Sequence, residues 1–215
     1  PIPNKLDDLL ATVAAHKGLS IVSAATVASS PIPGIRTFSP IRNGKWTPSI
    51  NIGDAWDQAL TEGRRIFIAG TSLDEAPAST HYTTVWAEGN HADQIIEALR
   101  DGSSFVSDRD GIHLDFQVDG HTFGQTVFHQ GEPFIRIRAH GHHPISSVTL
   151  VADGVEIWTA HPNEAVWEER FFLPAADYGY VRAVLRSEIG GHQALGNPVF
   201  LVAEDAPDGE LPLIE

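Results

Sequence analysis

The segment from Phe67 to His81, FIAGTSLDEAPASTH, places three potential metal ligands within a short polar stretch. Asp74, Glu75 and His81 supply carboxylates and an imidazole, which are ligands that zinc, manganese and iron accept in proteins. A metal ion held there could activate a water molecule for hydrolysis, provided that several ligands converge and one position stays open. The segment therefore predicts either a metal site or a solvated loop that follows a buried strand.

A second candidate is the histidine-rich stretch RAHGHHP at 138–144. His140 and His142 flank a single residue and His143 follows directly, so the three rings could approach one metal ion. Neither a carboxylate nor a cysteine lies in the stretch to support them. The alternatives are an adventitious metal site and an exposed turn.

The segment SDRDGIHLD matches a calcium-binding loop only in part. With Gly111 as the glycine of the sharp turn, Asp108 and Asp110 fit two ligand positions. Val106 then occupies the first ligand position and Gln117 the position of the bidentate acid, which excludes an EF-hand. A hairpin turn is the better interpretation.

Composition excludes several classes of partner. The 215 residues include 14 basic and 28 acidic side chains, a formal net charge of −14. Binding to nucleic acid or to anionic membranes requires basic side chains, so neither partner is expected. No apolar run approaches the roughly 18 to 20 residues that span a bilayer, which predicts a soluble chain. The absence of cysteine removes disulfides and thiolate chemistry, and fits a cytosolic or an exported protein alike.

Residues 1–107 alternate between helical and strand-like patterns, which is typical of an α/β layer with parallel pairing. Helices are predicted over 4–17, 54–60 and 93–100, and strands over 19–24, 65–69, 83–87 and 105–106. The loop at 29–50 is rich in proline and glycine.

Beyond residue 107 the pattern changes to short runs of alternating apolar and polar residues, separated by turns. Asp110-Gly111, Asp119-Gly120 and Asp153-Gly154 are predicted hairpin turns. Six to eight strands over about 100 residues indicate an immunoglobulin-like β-sandwich. The predicted fold is therefore α+β, with a partial α/β layer at 1–107, an antiparallel β-sandwich at 108–205 and a tail at 206–215.

Two segments, ALRDGSSFVS at 98–107 and NPVFLV at 197–202, are similar to segments of a known family. In this order they resemble the C-terminal half of CehA/McbA-like metallohydrolases, which belong to the PHP (polymerase and histidinol phosphatase) superfamily. The resemblance covers about residues 50 to 203. It implies that the α/β layer is a PHP-like half-barrel, and that a metal cluster precedes the sandwich.

The metal-binding motifs of that family are incomplete in this chain. Its early His-x-His has no counterpart before residue 50, so the first half of the barrel is missing. Its late Gly-x-Ser-Asp-Ala-His aligns with GTSLDEA in two ways. With one residue inserted at Leu73, Asp74 aligns with the aspartate of the family motif and Ala76 aligns with its histidine. Without that insertion, Leu73 aligns with the aspartate and Glu75 with the histidine. One ligand is lost in either alignment, and the resemblance implies Asp74 or Glu75 as a metal ligand, with His81 as a further one.

Two hypotheses of function follow. In the first, preferred for this chain, the protein derives from a PHP-type metallohydrolase, has a degenerate metal site, and serves binding or assembly as a homo-oligomer. In the second it is an active metal-dependent hydrolase of phosphoester or amide-like bonds, with zinc, manganese or iron as the cofactor. A missing N-terminal segment or a partner chain would then supply the remaining ligands.

Overall fold

Strands dominate the computed structural model, which describes residues 13, 15, 19–23, 37–42, 45–47, 50–70, 81–108, 111–174 and 176–204. The strands of the N-terminal part are β1 (Ile21–Ser23), β2 (Thr37–Ser39), β3 (Ile41–Arg42), β4 (Lys45–Trp46), β5 (Phe67–Ile68), β6 (His81–Val85) and β7 (Ser104–Asp108). Helices α1 (Ala55–Thr61) and α2 (Ala92–Arg100) lie among them in the described ranges. The remaining strands are β8 (Ile112–Val118), β9 (Thr126–His129), β10 (Phe134–Ile145), β11 (Ser147–Ala152), β12 (Val155–Ala160), β13 (Glu164–Phe172), β14 (Tyr180–Arg186), β15 (Gln193–Gly196) and β16 (Val199–Ala203).

Two sheets form the predicted β-sandwich. The smaller sheet has the order β13-β10-β8, and the larger has the order β12-β11-β14-β15-β7-β6, with β16 and β9 attached beside β14. Alternate residues of β8, β10, β11 and β14 point into the space between the sheets, because successive side chains of a strand face opposite sides. The shared core includes Leu114, Phe116, Ile137, Leu150 and Ala183, each at most 1% exposed.

The second face of the larger sheet is covered by the N-terminal part of the chain. Helix α1 and the three-stranded parallel sheet β1-β2-β5 supply most of this cover. Trp56 and Phe67 pack there against Tyr180 of β14, Leu195 of β15 and Phe200 of β16. The centre of the larger sheet is therefore buried on both faces, which explains why β14 is an almost uninterrupted buried strand.

The prediction of a partial α/β layer, a PHP-like half-barrel, is wrong. The sequence predicts β6 and β7 as strands of that layer with parallel pairing. In the structure they pair antiparallel with each other, with His81 opposite Asp108. Strand β7 also pairs antiparallel with β15, so residues 81–108 extend the larger sheet of the sandwich. Helix α2 lies in the connection between two antiparallel neighbours and does not cross over to a parallel strand. Parallel pairing is limited, in the described residues, to β1-β2-β5 and to β9 beside β16.

Several local predictions are confirmed. Helices α1 and α2 lie within a residue or so of their predicted bounds. Asp119-Gly120 and Asp153-Gly154 have positive φ at both residues, as a two-residue type I′ turn requires. The predicted division at residue 107 falls inside β7. The helix over 4–17 and the tail at 206–215 lie almost wholly or wholly outside the described residues, as does Asp110. No helix in the described ranges is both long and apolar enough to cross a membrane.

A buried ion pair joins the N-terminal layer to the larger sheet. Nε and Nη2 of Arg182 on β14 donate to the carboxylate of Asp57 on α1 at 2.8 and 2.6 Å, and both side chains are at most 1% exposed. The Tyr180 hydroxyl and the Gly53 N–H donate to the same carboxylate, each at 2.8 Å. The Trp56 ring lies 4.7 Å from the guanidinium carbon. Burial, followed by the charge of Asp57, raises the pKa of Tyr180, so the phenol remains a donor.

Replacing Arg182 by methionine would leave the Asp57 carboxylate buried without its cation. We expect the free energy of unfolding to fall by about 3–5 kcal/mol, the usual cost of removing one partner of a buried pair. Urea denaturation followed by tryptophan fluorescence measures this change. The double variant Arg182→Met, Asp57→Asn removes both charges and should recover part of the loss. A double variant no more stable than Arg182→Met would contradict this role of the pair.

Candidate functional site

The polar stretch that follows β5 has one of its three predicted ligands within the described residues. Asp74 and Glu75 fall in 71–80, which lies outside them. His81 is the first residue of β6 and is 5% exposed. Its position opposite Asp108 at the end of β7 brings an imidazole and a carboxylate together at one end of the larger sheet.

His81, Asp108 and Trp46 form a compact group that we call the His81 cluster. Nε2 of His81 lies 2.9 Å from Oδ1 of Asp108, and the indole Nε1 of Trp46 donates to the same oxygen at 3.2 Å. The rings of Trp46 and His81 meet edge to face, with centroids 4.9 Å apart. The other carboxylate oxygen of Asp108 accepts a hydrogen bond from the backbone N–H of Gln193. One carboxylate thus connects β4, β6, β7 and β15.

The His81 cluster does not by itself provide a metal-ligand set. A carboxylate commonly orients a histidine whose other ring nitrogen binds a metal, so the pairing of His81 with Asp108 has the chemistry of such a support. Catalytic metal sites need about three protein ligands. Within the described ranges, no three His, Asp or Glu side chains come together. The roles of Asp74 and Glu75 as metal ligands stay predictions.

The histidines of the RAHGHHP stretch have different neighbours. The stretch lies inside β10, a strand of 12 residues, and does not follow it as a turn. His140 is paired with His113 across β10 and β8, whereas the ring of His143 stacks on that of His192 at 5.8 Å. His140 and His143 therefore do not form one ligand group. His192 precedes Gln193, so the stacked pair adjoins the His81 cluster.

A groove lies between α2 and the segment 121–126. Its volume is about 940 Å³, within the range of small-molecule sites. Trp86 and Phe123 provide apolar surface, with ring centroids 5.3 Å apart. Arg65 and Arg100 provide cationic groups, and the carboxylates along the groove are Glu88, Glu97 and Asp101.

Arg65 is held in a defined position at this groove. Its guanidinium carbon lies 4.3 Å from the centre of the Phe200 ring, and its Nη2 donates to the hydroxyl of Thr126. Trp86 is held by its backbone N–H, which donates to Ser103 at 2.8 Å, and its ring packs against the sandwich core. Sequence reasoning missed the groove. Its lining comes from separate segments that share no local pattern.

Asn197 and Gly102, which belong to the segments that resemble the metallohydrolase family, have structural roles in this chain. Asn197 holds β5 against β7: its Oδ1 accepts from the Ile68 N–H at 2.7 Å, and its Nδ2 donates to the carbonyls of Ile68 and Ser104 at 3.1 and 3.0 Å. Gly102 has φ of +73°, and a Cβ atom there would lie 2.2 Å from the ring of Phe67. These residues bring the N-terminal layer close to the sandwich and do not line the His81 cluster.

Comparison of the chain with protein-family models, with curated proteins and with solved structures finds no match. The resemblance to CehA/McbA-like metallohydrolases therefore stays a prediction, carried by the two segments described above.

The His81 cluster generates a test of its structural role. Replacing Asp108 by alanine removes the acceptor that Trp46 and the Gln193 N–H share. We expect the free energy of unfolding to fall by about 2–3 kcal/mol, because partly buried donors lose their acceptor. Chemical denaturation measures the loss, and a changed near-ultraviolet dichroism would report the altered setting of Trp46. Asp115→Ala on β8 is the control, with an expected change within about 0.5 kcal/mol. Equal losses in both variants would contradict the role of Asp108.

Proposed function

We propose that this chain is a non-catalytic binding and assembly protein, and that its ligand occupies the groove between α2 and the segment 121–126. The observation that carries the proposal is the combination of aromatic side chains, two arginines and several carboxylates in one groove, whose volume is about 940 Å³. Ligand sites combine apolar surface with a few convergent polar groups in this way.

The lining suggests the chemical class of the ligand. Arg65 and Arg100 match an anionic group such as a carboxylate, because guanidinium groups bind planar oxyanions with two parallel hydrogen bonds. Glu88, Glu97 and Asp101 match ammonium or hydroxyl donors. A small zwitterion, such as an amino acid or a short peptide, satisfies both sets of groups.

Isothermal titration calorimetry with free amino acids, dipeptides, dicarboxylates and neutral sugars tests this proposal. We expect the amino acids or dipeptides to bind and Arg100→Gln to weaken their binding at least about tenfold, the effect of losing one charge-assisted bond. Arg186→Gln, at an exposed arginine outside the groove, is the matched control and should leave binding unchanged. Absence of binding by every zwitterion would overturn the ligand class, and unchanged binding in Arg100→Gln would overturn the site.

The second candidate function is metal-dependent hydrolysis of phosphoester or amide-like bonds. The pairing of His81 with Asp108 at 2.9 Å favours it, because carboxylates support metal-binding histidines in this way. Asp74 and Glu75 would then join His81 around zinc, manganese or iron. The ligands still lacking would come from an N-terminal segment or a partner chain.

Elemental analysis of untagged protein, purified without chelators, separates the two functions. The binding proposal predicts well under about 0.1 metal ion per chain, since a metal site needs several converging ligands. Near-stoichiometric zinc, manganese or iron that is lost in both Asp74→Ala and Glu75→Ala would favour the hydrolase. Metal that persists in both variants would exclude those two carboxylates as ligands. Glu62→Ala, at an exposed acid just after the end of α1, is the matched control.

Assembly as a homo-oligomer is the second part of the proposal. Five strands have one neighbour each in the described residues: β12, β6 and β9 in the larger sheet, and β13 and β8 in the smaller. Strands of this kind present backbone donors and acceptors to another chain. Symmetric self-association is the commonest way in which soluble proteins cover such surfaces.

A further inference from the structure

Strand β13 is a long and accessible edge of the smaller sheet. It spans nine residues, Glu164–Phe172, and within the described residues it pairs with β10 alone. The N-terminal layer packs on the opposite side of the molecule, against the outer face of the larger sheet. Nothing in the described ranges therefore covers the free edge of β13.

The side chains of β13 divide between the two faces of the sheet. Val166 and Phe172 point to the outer face and are each 62% exposed. Glu168 and Arg170 lie between them on the same face and are hydrogen-bonded to each other, with Nε of Arg170 2.8 Å from Oε1 of Glu168. The bond from Arg170 lowers the pKa of the Glu168 carboxyl, so the strand keeps both charges. The outer face thus reads apolar, acidic, basic, apolar along the strand.

This order is complementary to itself when the strand is reversed. We propose that β13 pairs with β13 of a second copy of this chain, antiparallel and about a two-fold axis at Glu169. Val166 of one copy then lies opposite Phe172 of the other, and Glu168 lies opposite Arg170. Each pair occurs twice, as an isologous interface requires. The proposal rests on the assembly role given above and names its surface.

Other two-fold registers of the same strand are worse. Each of the three registers places one charged residue opposite its own copy on the axis. A shift of one pair toward the N-terminus also leaves Val166 opposite Arg170, and a shift toward the C-terminus leaves Glu168 opposite Phe172. Like charges directly opposite each other destabilise a strand pair, whereas apolar and oppositely charged pairs stabilise it. The register centred on Glu169 is the one of these three that satisfies the whole outer face.

The inner face of β13 places aromatic side chains opposite each other in this register. Trp167 lies opposite Phe171 in this register, and both rings already stack on Trp158 inside the sandwich. Glu169 lies between them on the inner face, opposite Ile137 of β10, and it is exposed at the edge of the sheet. On the two-fold axis it meets the Glu169 of the second copy. An inward-facing charge limits edge pairing in natural sheets, so Glu169 is expected to lower the affinity of the dimer.

Sedimentation velocity of the whole chain tests the assembly and its surface together. We expect a dimer of twice 23.3 kDa at about 100 μM, a concentration at which a weak dimer of this kind is populated. Val166→Lys should weaken it at least tenfold, while Glu169→Gln should tighten it by removing the opposed charges. Val155→Lys is the matched control, because Val155 is also 62% exposed and lies on the edge strand β12. Thermal melts confirm that each variant is folded.

A cross-link tests the register directly. The chain has no cysteine, so one introduced thiol can pair only with its copy. Residues opposite each other in an antiparallel pair have Cα atoms about 4.5–5.5 Å apart, within reach of a disulfide. Glu169→Cys should therefore form a disulfide-linked dimer under mild oxidation, and Val155→Cys should not.

The outcomes distinguish failure of the assembly role from failure of the β13 surface. A monomer at all concentrations, with no cross-link in Glu169→Cys, would overturn both the assembly role and this surface. A dimer that neither Val166→Lys nor Glu169→Gln alters, and that Glu169→Cys does not link, would overturn the β13 surface and leave assembly in place. Loss of the dimer in Val166→Lys together with the link at residue 169 would establish the proposed register.

Discussion

The buried pair of Asp57 and Arg182 is the contact on which the arrangement of the layers depends. Burying two charges is favourable only when they are paired and their remaining hydrogen-bonding groups find partners. The carboxylate of Asp57 meets this condition with Tyr180 and the Gly53 N–H as further donors, whereas Nη1 of Arg182 has no hydrogen-bond partner in the described residues. Because Arg182 belongs to a central strand and Asp57 to α1, the pair specifies where the N-terminal layer sits on the larger sheet. The groove beside α2 depends on that placement, since Arg65, which lines it, lies a few residues after the end of α1.

Asn197 and Asp108 extend the same principle to strand ends. Each is a short polar side chain that satisfies backbone or ring donors from segments distant in sequence. Such residues resemble site residues in a sequence, because polar side chains at strand ends are also where catalytic groups occur. In this chain Asn197 holds β5 against β7, and Asp108 holds Trp46 against β15. Of the segments similar to a metallohydrolase family, 197–202 thus attaches a strand through Asn197, whereas Arg100 and Asp101 of 98–107 line the groove.

The two proposed surfaces lie on different parts of the molecule. The groove is formed where α2 meets the segment 121–126, whereas β13 is the outer edge of the smaller sheet. Pairing through β13 would create a continuous six-stranded sheet, β8-β10-β13 and its copy, and would leave the groove open in both chains. Binding and assembly can therefore coexist in one protein. A chain of net charge −14 also gains from a pairing in which Glu168 meets Arg170, because self-association must overcome mutual repulsion.

The sequence by itself determined the elements that depend on local periodicity. Alternation in β8 and β10 predicted the sandwich, and Asp153-Gly154 predicted a hairpin turn because aspartate and glycine tolerate positive φ, which both residues have. Direction of pairing was decided by tertiary structure: strands β6 and β7 flank a helix, yet they join as antiparallel neighbours. The same holds for the polar partners. Asp108 fits one ligand position of the rejected calcium loop, but its partner Trp46 lies 62 residues away, and no local pattern reports a contact that only packing of the sheets creates.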